Sequence, residues 1–302
     1  GVGSGGTGAP VSTSSATVNG FGSIVADGTV YGSDLAVVRE EVSPTQFQAT
    51  TARLGQVVVL RHRAEAGLDE ASQVDVEPAL IGEVSAVDAP GGTLTVRSQT
   101  VRINDQPDNG PVTFFDGFNG LAGLSVGERV RVHGVLRWEG SGREIRASRI
   151  ERLTVSPVAE RVVGVVSNLD TAGGALRFAL GGLSVDATGT TVLGGPAAND
   201  RRVAVWFSPG TSQVLGVRVL SLGEPGNLST PGRIGGVVGR LDTTAQTFEL
   251  AGVPVRYAGA LVTPQGPMFS LADGVYVQVR GSHLGDGAFL ATERRPISWK
   301  LS

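Results

Sequence analysis

The three histidines of the chain, His62, His133 and His283, are the first residues to consider for catalysis or metal binding. The chain has no cysteine, which excludes thiol chemistry, disulfides and cysteine-ligated zinc. The histidines occupy different positions in the repeat described below, and none has a carboxylate at metal-ligand spacing. Strand alternation places His133 on a solvent-facing register. We therefore expect three surface histidines, no metal and no cofactor.

Paired carboxylates are the other candidates for catalysis. A retaining glycosidase needs two carboxyl groups about 5 Å apart, and spacing along the sequence cannot establish such a distance. Adjacent acids such as Glu40 and Glu41 lie in polar segments, where solvation explains them. The pattern Gly-x-Ser-x-Gly occurs at residues 123–127, but no helical stripe follows it, so the strand-turn-helix elbow of a serine hydrolase is not expected there. The sequence predicts that the protein is not an enzyme, and a hydrolase is the weakest hypothesis.

Aromatic residues form the most informative candidate for a binding surface. The members of this group are Phe114, Phe115, Phe118 and Trp138. Exposed aromatic rings on a barrel can stack on the sugars or bases of a polymer. Large aromatic residues more often supply packing area, so these rings would alternatively close a barrel end or contact the next repeat. The second interpretation is favoured, and the first is kept as a candidate ligand or partner surface.

An internal repeat determines the architecture. A phrase that opens on glycine and closes on aspartate six residues later occurs at residues 82–88, 164–170 and 236–242. A second phrase contains matched valines that are 72, 73 and 74 residues apart, namely Val58, Val130, Val203 and Val277. So constant a period over four copies indicates tandem repeats. The predicted organisation is a Gly/Ser-rich tail at residues 1–15, then β-barrel repeats at residues 16–79, 80–157, 158–231 and 232–302.

Each repeat shows the alternation of apolar and polar residues that is typical of strands with one buried face. Val130 and Val132, for example, alternate with Arg129 and Arg131. About five short strands per repeat, with Gly-Gly pairs in several turns, predict an all-β fold of four tandem, small OB-like β-barrels. Small β-sandwiches are the alternative, because alternation does not separate the two folds. Single helical turns are expected within residues 43–54 and 117–124.

Composition narrows the partners and the location. The net charge of −3 supplies no field that would hold a polyanion, so nucleic acid is not expected as a partner. No apolar run is long enough to cross a bilayer. Residue 1 is Gly rather than Met, from which we expect a processed, exported protein at the cell surface, outside the cell or in the periplasm. Its contact with a membrane would be a lipid anchor upstream of residue 1.

The low-complexity N-terminal tail allows two interpretations. Residues 1–15 are rich in Gly and Ser, which favours a flexible linker. Alternatively, the small and β-branched residues that follow could add a strand to a neighbouring copy or domain. The candidate strand-addition segment consists of Thr13, Ser14, Ser15, Ala16, Thr17 and Val18.

Several of these phrases resemble a tandem domain of unknown function, numbered 5666, from secreted bacterial proteins. The resemblance is carried by residues 5–8 and 20–28, by the Gly-x-Val…Asp phrase and by the Leu/Val-Gly-Glu-x-Val-x-Val phrase. It covers most of residues 16–302 and implies OB-like β-barrels, export and often a lipoprotein anchor, but no activity. The third and fourth copies depart from the pattern, because Asp200 stands where Gly127 does and Pro254 interrupts a strand.

The function expected from the sequence is therefore structural. We expect a non-catalytic subunit of a cell-surface or extracellular assembly, such as a fibre, that self-associates by strand addition or barrel-to-barrel contacts. The alternative is an OB-type module that binds a glycan or another surface polymer through the aromatic residues.

Overall fold

The computed structural model describes residues 10–258 and 271–296 of the chain. Within these residues the regular secondary structure consists of β-strands and three short turns of 3-10 helix, so the expected all-β class is confirmed. Residues 1–9 of the expected tail lie outside the described residues. We divide the strands into four units in chain order.

Unit 1 forms a small closed barrel with one added hairpin. Its strands are β1 (Ser12–Gly20), β2 (Ile24–Ala26), β3 (Thr29–Gly32), β4 (Val37–Ser43), β5 (Gln46–Ala49), β6 (Val57–Glu65) and β7 (Leu68–Val76). Strands β1, β2 and β3 pair in sequence, β3 runs parallel to β7, and β7 returns through β6 to β1. The hairpin lies outside this ring, with β4 parallel to β7 and β5 paired to β4.

Unit 2 repeats the same order of pairs. Its strands are β8 (Leu80–Asp88), β9 (Thr93–Val96), β10 (Gln99–Arg102), β11 (Phe114–Asp116), β12 (Arg129–Glu139) and β13 (Gly142–Leu153). Strands β8, β9 and β10 pair in sequence, β10 runs parallel to β13, and β13 returns through β12 to β8. Strand β11 also runs parallel to β13, in the way that β4 accompanies β7.

Units 3 and 4 are shorter variants of this arrangement. Unit 3 contains β14 (Glu160–Asp170), β15 (Arg177–Leu180), β16 (Leu183–Asp186), β17 (Val192–Leu193), β18 (Arg202–Phe207) and β19 (Val214–Val219). Unit 4 contains β20 (Ser229–Asp242), β21 (Thr247–Leu250), β22 (Val253–Arg256), β23 (Tyr276–Leu284) and β24 (Phe289–Pro296). The pairs of unit 4 close in the order β20, β21, β22, β24, β23 and back to β20. In the described part of unit 3, β16 pairs with β15 but not with β19.

Strand pairing also joins different units. Strand β1 of unit 1 runs parallel to β20 of unit 4, with Ser15 opposite Ile234. Strand β8 of unit 2 pairs antiparallel with β14 of unit 3, with Ile81 opposite Arg161. Units 1 and 4 therefore share one sheet, and units 2 and 3 share another. Because ladder hydrogen bonds cross both boundaries, the units are held together by more than their linkers.

The cores follow the alternation read from the sequence. Val130 and Val132 are fully buried, whereas Arg129 and Arg131 are only partly buried. One continuous cluster of buried apolar side chains spans units 2 and 3 and includes Trp206, whereas units 1 and 4 each have a cluster of their own. Full burial of one such side chain contributes about 1.5–3 kcal/mol, so the core shared by units 2 and 3 resists their separation.

The two expected helical turns have different outcomes. A 3-10 turn forms at Leu121–Gly123, within the segment where one was expected. The turn expected within residues 43–54 is wrong, because Gln46–Ala49 forms β5. Thr45 adopts a φ of 65°, which closes a tight turn and returns the chain along β4.

Candidate functional site

The three phenylalanines of the predicted aromatic surface lie together in unit 2. The rings of Phe115 and Phe118 meet edge to face with centroids 5.2 Å apart, and both pack partly against the core. Phe114 is 42% exposed, and the guanidinium carbon of Arg149 lies 4.9 Å from its ring centroid. Phe114 is therefore the member of this group whose ring is most open to solvent.

Trp138 lies in a different place, at a contact between units 2 and 4. The guanidinium carbons of Arg143 and Arg240 lie 4.3 and 3.7 Å from the centroid of its ring. It packs so closely on Gly239 that an added Cβ there would lie 2.9 Å from the indole ring. On β13, Trp138 lies opposite Arg143, whereas Phe114 lies opposite Arg149. These two positions are six residues apart, which corresponds to about 20 Å along the strand. The four aromatic residues do not form one surface.

The predicted strand-addition segment lies in β1, inside the fold. All six of its residues are buried, and they are Thr13, Ser14, Ser15, Ala16, Thr17 and Val18. Their backbone pairs with β6 on one side and meets β20 on the other. Donation of this segment to another copy would require β1 to leave its own sheet. A strand that is free to accept a partner must be sought elsewhere.

The outer strand of the hairpin in unit 1, β5, provides such an edge. Its four residues, Gln46–Ala49, are all exposed and carry no charge. The pairing places Glu40 opposite Gln48, and the Thr50 amide donates to the Val38 carbonyl oxygen at 3.1 Å. Antiparallel pairs alternate between hydrogen-bonded and non-bonded residues. Because the Thr50 amide is bonded to β4, Gln48 is the next bonded residue, and Phe47 and Ala49 occupy the non-bonded positions. Their amides therefore point away from β4, toward the open edge.

The sequence pattern of β5 lacks the usual protection of such an edge. Natural sheets shield edge strands with charged residues, proline, bulges or a covering segment. Phe47 is 45% exposed and is held against the Arg39 guanidinium, whose carbon lies 3.8 Å from the ring centroid. At the tip of the hairpin, Pro44 packs against Gly216 of unit 3, where an added Cβ would lie 2.7 Å away. The hairpin is thus anchored at its tip while its outer strand stays open.

A Ser–His–Asp relay, which sequence reasoning missed, lies in unit 1 at its contact with unit 4. The Ser14 hydroxyl is 2.8 Å from Nε2 of His62, and Nδ1 of His62 is 3.0 Å from Oδ1 of Asp69. A carboxylate only accepts, so Nδ1–H donates to Asp69 and Nε2 accepts from Ser14. Burial lowers the pKa of His62, and the charge of Asp69 opposes this effect. These are the contacts of a nucleophilic triad.

The serine of this relay is not accessible to a substrate, unlike the nucleophile of a working enzyme. Ser14 is completely buried, and its oxygen also accepts the backbone N–H of Arg233, in β20, at 3.0 Å. The guanidinium of the same arginine lies 3.2 Å from the second oxygen of Asp69. A substrate carbonyl could reach the hydroxyl only if β1 separated from β20. The geometry fits a buried network of hydrogen bonds and an ion pair that holds units 1 and 4 together.

The expectation of surface histidines is wrong for all three residues. His62, His133 and His283 are 2%, 0% and 4% exposed. Burial lowers the pKa of His133 and lowers that of His283 to about 4. Other units cover two of them: His283 donates from Nε2 to the Thr13 carbonyl oxygen at 2.7 Å, and Ser148, beside His133, donates to the Gly55 carbonyl oxygen of unit 1 at 2.5 Å. The outward face of a strand is not a solvent face when another unit packs on it.

Charged residues meet where units 1 and 3 face each other. Burial raises the pKa of Glu77, and the opposing charges of Arg202 and Arg161 act in the other direction. Burial also lowers the pKa of Arg161, which is only 2% exposed. A cavity of about 150 Å³ lies beside Glu77 and Arg161. A carboxyl group of raised pKa in a cavity is a candidate acid or base.

The neighbouring carboxylates of this cavity are already engaged. Asp75 accepts from Arg39 at 2.7 Å, and Glu41 accepts a two-pronged contact from Arg218 at 2.6 and 2.7 Å. Glu41 and Arg218 belong to units 1 and 3, so this pair crosses the boundary between units. A glycosidase would need a second carboxylate free to act on substrate. The arrangement therefore fits an ionic contact between units better than a catalytic pair.

Two further observations concern ligands and membranes. In residues 10–258 and 271–296, no three side chains of the His, Asp and Glu types come together as a candidate metal site. The part of the chain that the structure describes contains no helix long and apolar enough to span a bilayer.

Comparison with known proteins supports part of the sequence resemblance. No curated protein matches the chain. The matching family model covers strands of units 2 and 4, whereas the resemblance noted above was expected over most of the chain. Residues 81–151 and 235–293 are thus the segments that match the domain of unknown function DUF5666.

Proposed function

We propose that this chain is a non-catalytic structural protein that joins copies of itself through the open edge of β5. The observation that carries the proposal is the exposed, uncharged strand Gln46–Ala49, whose outer amides face solvent. An edge of this kind is a template for pairing with another chain. Pairing of two β5 strands around a two-fold axis would give a closed dimer, because the same patch serves both copies.

The proposal includes four OB-like units. Its support is the repeated pairing order. In unit 1, without the hairpin of β4 and β5, the strands β1, β2 and β3 pair in sequence, β3 runs parallel to β7, and β7 returns through β6 to β1. Units 2 and 4 follow this order, and unit 3 follows it apart from the pair between β16 and β19. A five-stranded barrel of this size is typical of the OB fold.

The joining of the units favours a structural role. Strand pairs and buried side chains connect unit 1 to unit 4 and unit 2 to unit 3. Across the boundary between units 2 and 4, Arg143 contacts Glu249 through two hydrogen bonds of 2.6 and 2.9 Å. Across the boundary between units 1 and 3, Glu41 contacts Arg218. Units that contact one another at this many boundaries move less relative to one another than barrels on flexible linkers would.

Location is part of the same proposal. Export to the cell surface, the extracellular space or the periplasm, with a lipid anchor upstream of residue 1, rests on the resemblance to secreted proteins with DUF5666 domains. Cell fractionation with an antibody against the chain would test it. Recovery of the protein in the cytoplasm alone would contradict this part of the proposal.

Sedimentation velocity of matched variants tests self-association. In Ala49→Pro the outward amide is lost, while the bonds from β5 to β4 are kept, because the Ala49 amide does not donate to β4. Ala49→Val keeps the amide and is the matched control. We expect the wild-type chain and Ala49→Val to form dimers or larger species as concentration rises, and Ala49→Pro to remain monomeric. Monomers of the wild type at every concentration would overturn the proposal.

The alternative, a glycan-binding module, is favoured by one observation. The ring of Phe114 is 42% exposed and lies beside the Arg149 guanidinium, a combination that can stack on a sugar. A glycan array with the wild-type chain and Phe114→Ala tests it. Equal binding by both proteins would remove Phe114 from consideration.

A further inference from the structure

A polar groove lies between units 1 and 4, on the surface next to the Ser14–His62–Asp69 relay. Its volume is about 360 Å³, which lies within the range of about 300–1,000 Å³ that is usual for small-molecule sites. Unit 4 supplies Gln278 and Arg280 from β23 and Glu293 and Arg294 from β24, and unit 1 supplies Thr29. The groove therefore exists only because the two units are joined.

Three guanidinium groups give this groove a positive character. Arg233, Arg280 and Arg294 line it together with a single acid, Glu293. Arg233 is held in place by Asp69 at 3.2 Å. Arg280 is exposed, and no described residue forms an ion pair with its guanidinium. With Asp69 counted beside Arg233, three guanidinium groups face two carboxylates, and this positive excess on a chain of net charge −3 favours a negatively charged ligand.

The remaining lining groups define the rest of the ligand. A planar guanidinium binds a carboxylate through two parallel hydrogen bonds. Gln278, which is 4% exposed, lies in the wall with an amide, and Thr29 contributes a hydroxyl. The carboxylate of Glu293 accepts hydrogen bonds from hydroxyl groups but repels dense negative charge. This set suits a ligand with one carboxylate and several hydroxyls better than it suits a polyphosphate or nucleic acid.

We propose that the groove binds a sugar acid, such as one or two uronic acid units of an acidic glycan. The carboxylate lies against Arg280 and Arg233, and the ring hydroxyls contact Glu293, Gln278 and Thr29. The site lies on the sheet shared by units 1 and 4, and it does not involve β5. Binding can therefore be tested separately from self-association.

Isothermal titration of the full chain with tri-galacturonate tests this site. Arg280→Ala should weaken binding by about tenfold or more, because a charge-assisted contact is lost. The matched control is Arg63→Ala, which removes an equal charge from an exposed arginine of β6 that does not line the groove. This control should keep the wild-type affinity. The neutral galactose trimer should bind at least tenfold more weakly than tri-galacturonate.

Each other outcome overturns the assignment. Absence of binding to tri-galacturonate removes the sugar acid as ligand, and binding of inorganic phosphate in its place assigns the groove to another oxyanion. Equal losses in Arg280→Ala and Arg63→Ala would show that only net charge matters. Equal affinity for the neutral trimer would show that the carboxylate is not recognised.

Discussion

A single methyl group added at Gly232 should destabilise the junction between units 1 and 4. Gly232 of β20 faces Thr13 of β1 at a close approach of the two backbones. A Cβ at Gly232 would lie 1.8 Å from the Thr13 carbonyl oxygen and 2.9 Å from Nε2 of His283. His283 donates a hydrogen bond to that same oxygen at 2.7 Å. Gly232→Ala therefore cannot be accommodated while the strands keep their present separation.

The cost of Gly232→Ala follows from these distances. A carbon and an oxygen that are not bonded lie about 3.3 Å or more apart, so the strands must separate by roughly 1.5 Å at this point. Overpacking of this kind costs about 1–3 kcal/mol, and loss of the hydrogen bond from His283 adds about 1 kcal/mol. The expected loss in the free energy of unfolding is about 2–4 kcal/mol.

Urea denaturation monitored by tryptophan fluorescence measures this loss. The midpoint of Gly232→Ala should fall by about 1 M relative to the wild type. Gly142→Ala is the matched control, because no atom lies within 4 Å of an added Cβ there. The control should change stability by less than about 0.5 kcal/mol. Equal midpoints for the two variants would refute the close pairing of β1 with β20.

Three further substitutions test the buried polar groups and the contact between units 2 and 4. Ser14→Ala leaves Nε2 of His62 and the backbone N–H of Arg233 without their partner, so unfolding should require about 1–3 kcal/mol less; an unchanged urea midpoint would contradict the relay. Because burial lowers the pKa of His283 to about 4, while the unfolded chain binds that proton near pH 6.5, stability should fall as pH decreases from about 6.5 to 4. His283→Gln should flatten this fall, and an identical pH profile would show that the proton is bound equally in both states. Trp138→Ala removes two cation–π contacts and should cost at least about 1–2 kcal/mol in calorimetry; an unchanged melting temperature would contradict its packing at the contact between units 2 and 4.

The strands within each unit were predictable from local patterns. The matched valines, such as Val58 and Val130, are buried because they lie on the inner face of strands that alternate with period two. Gly92 and Gly181 adopt positive φ in the turns, as their positions between alternating runs indicated. These features depend on residues a few positions apart, which a sequence records directly.

The contacts between units were not predictable in the same way. His133 was expected on the surface, because its register points outward, but unit 1 covers that face of the strand. Ser14, His62 and Asp69 come from three strands, and only the barrel of unit 1 brings them together. Trp138 was grouped with phenylalanines that are near in sequence, whereas its packing partner is Gly239, about a hundred residues away. Long-range packing of this kind leaves no short-range pattern.

Hydrogen exchange at the edge of β5 tests the central claim of self-association most directly. Exchange measured by mass spectrometry at low and high protein concentration reports on the amides of Phe47 and Ala49, which face the open edge. If copies join through this strand, protection of residues 46–49 should rise with concentration in the wild type and in Ala49→Val. Protection that is the same at every concentration would contradict pairing through β5.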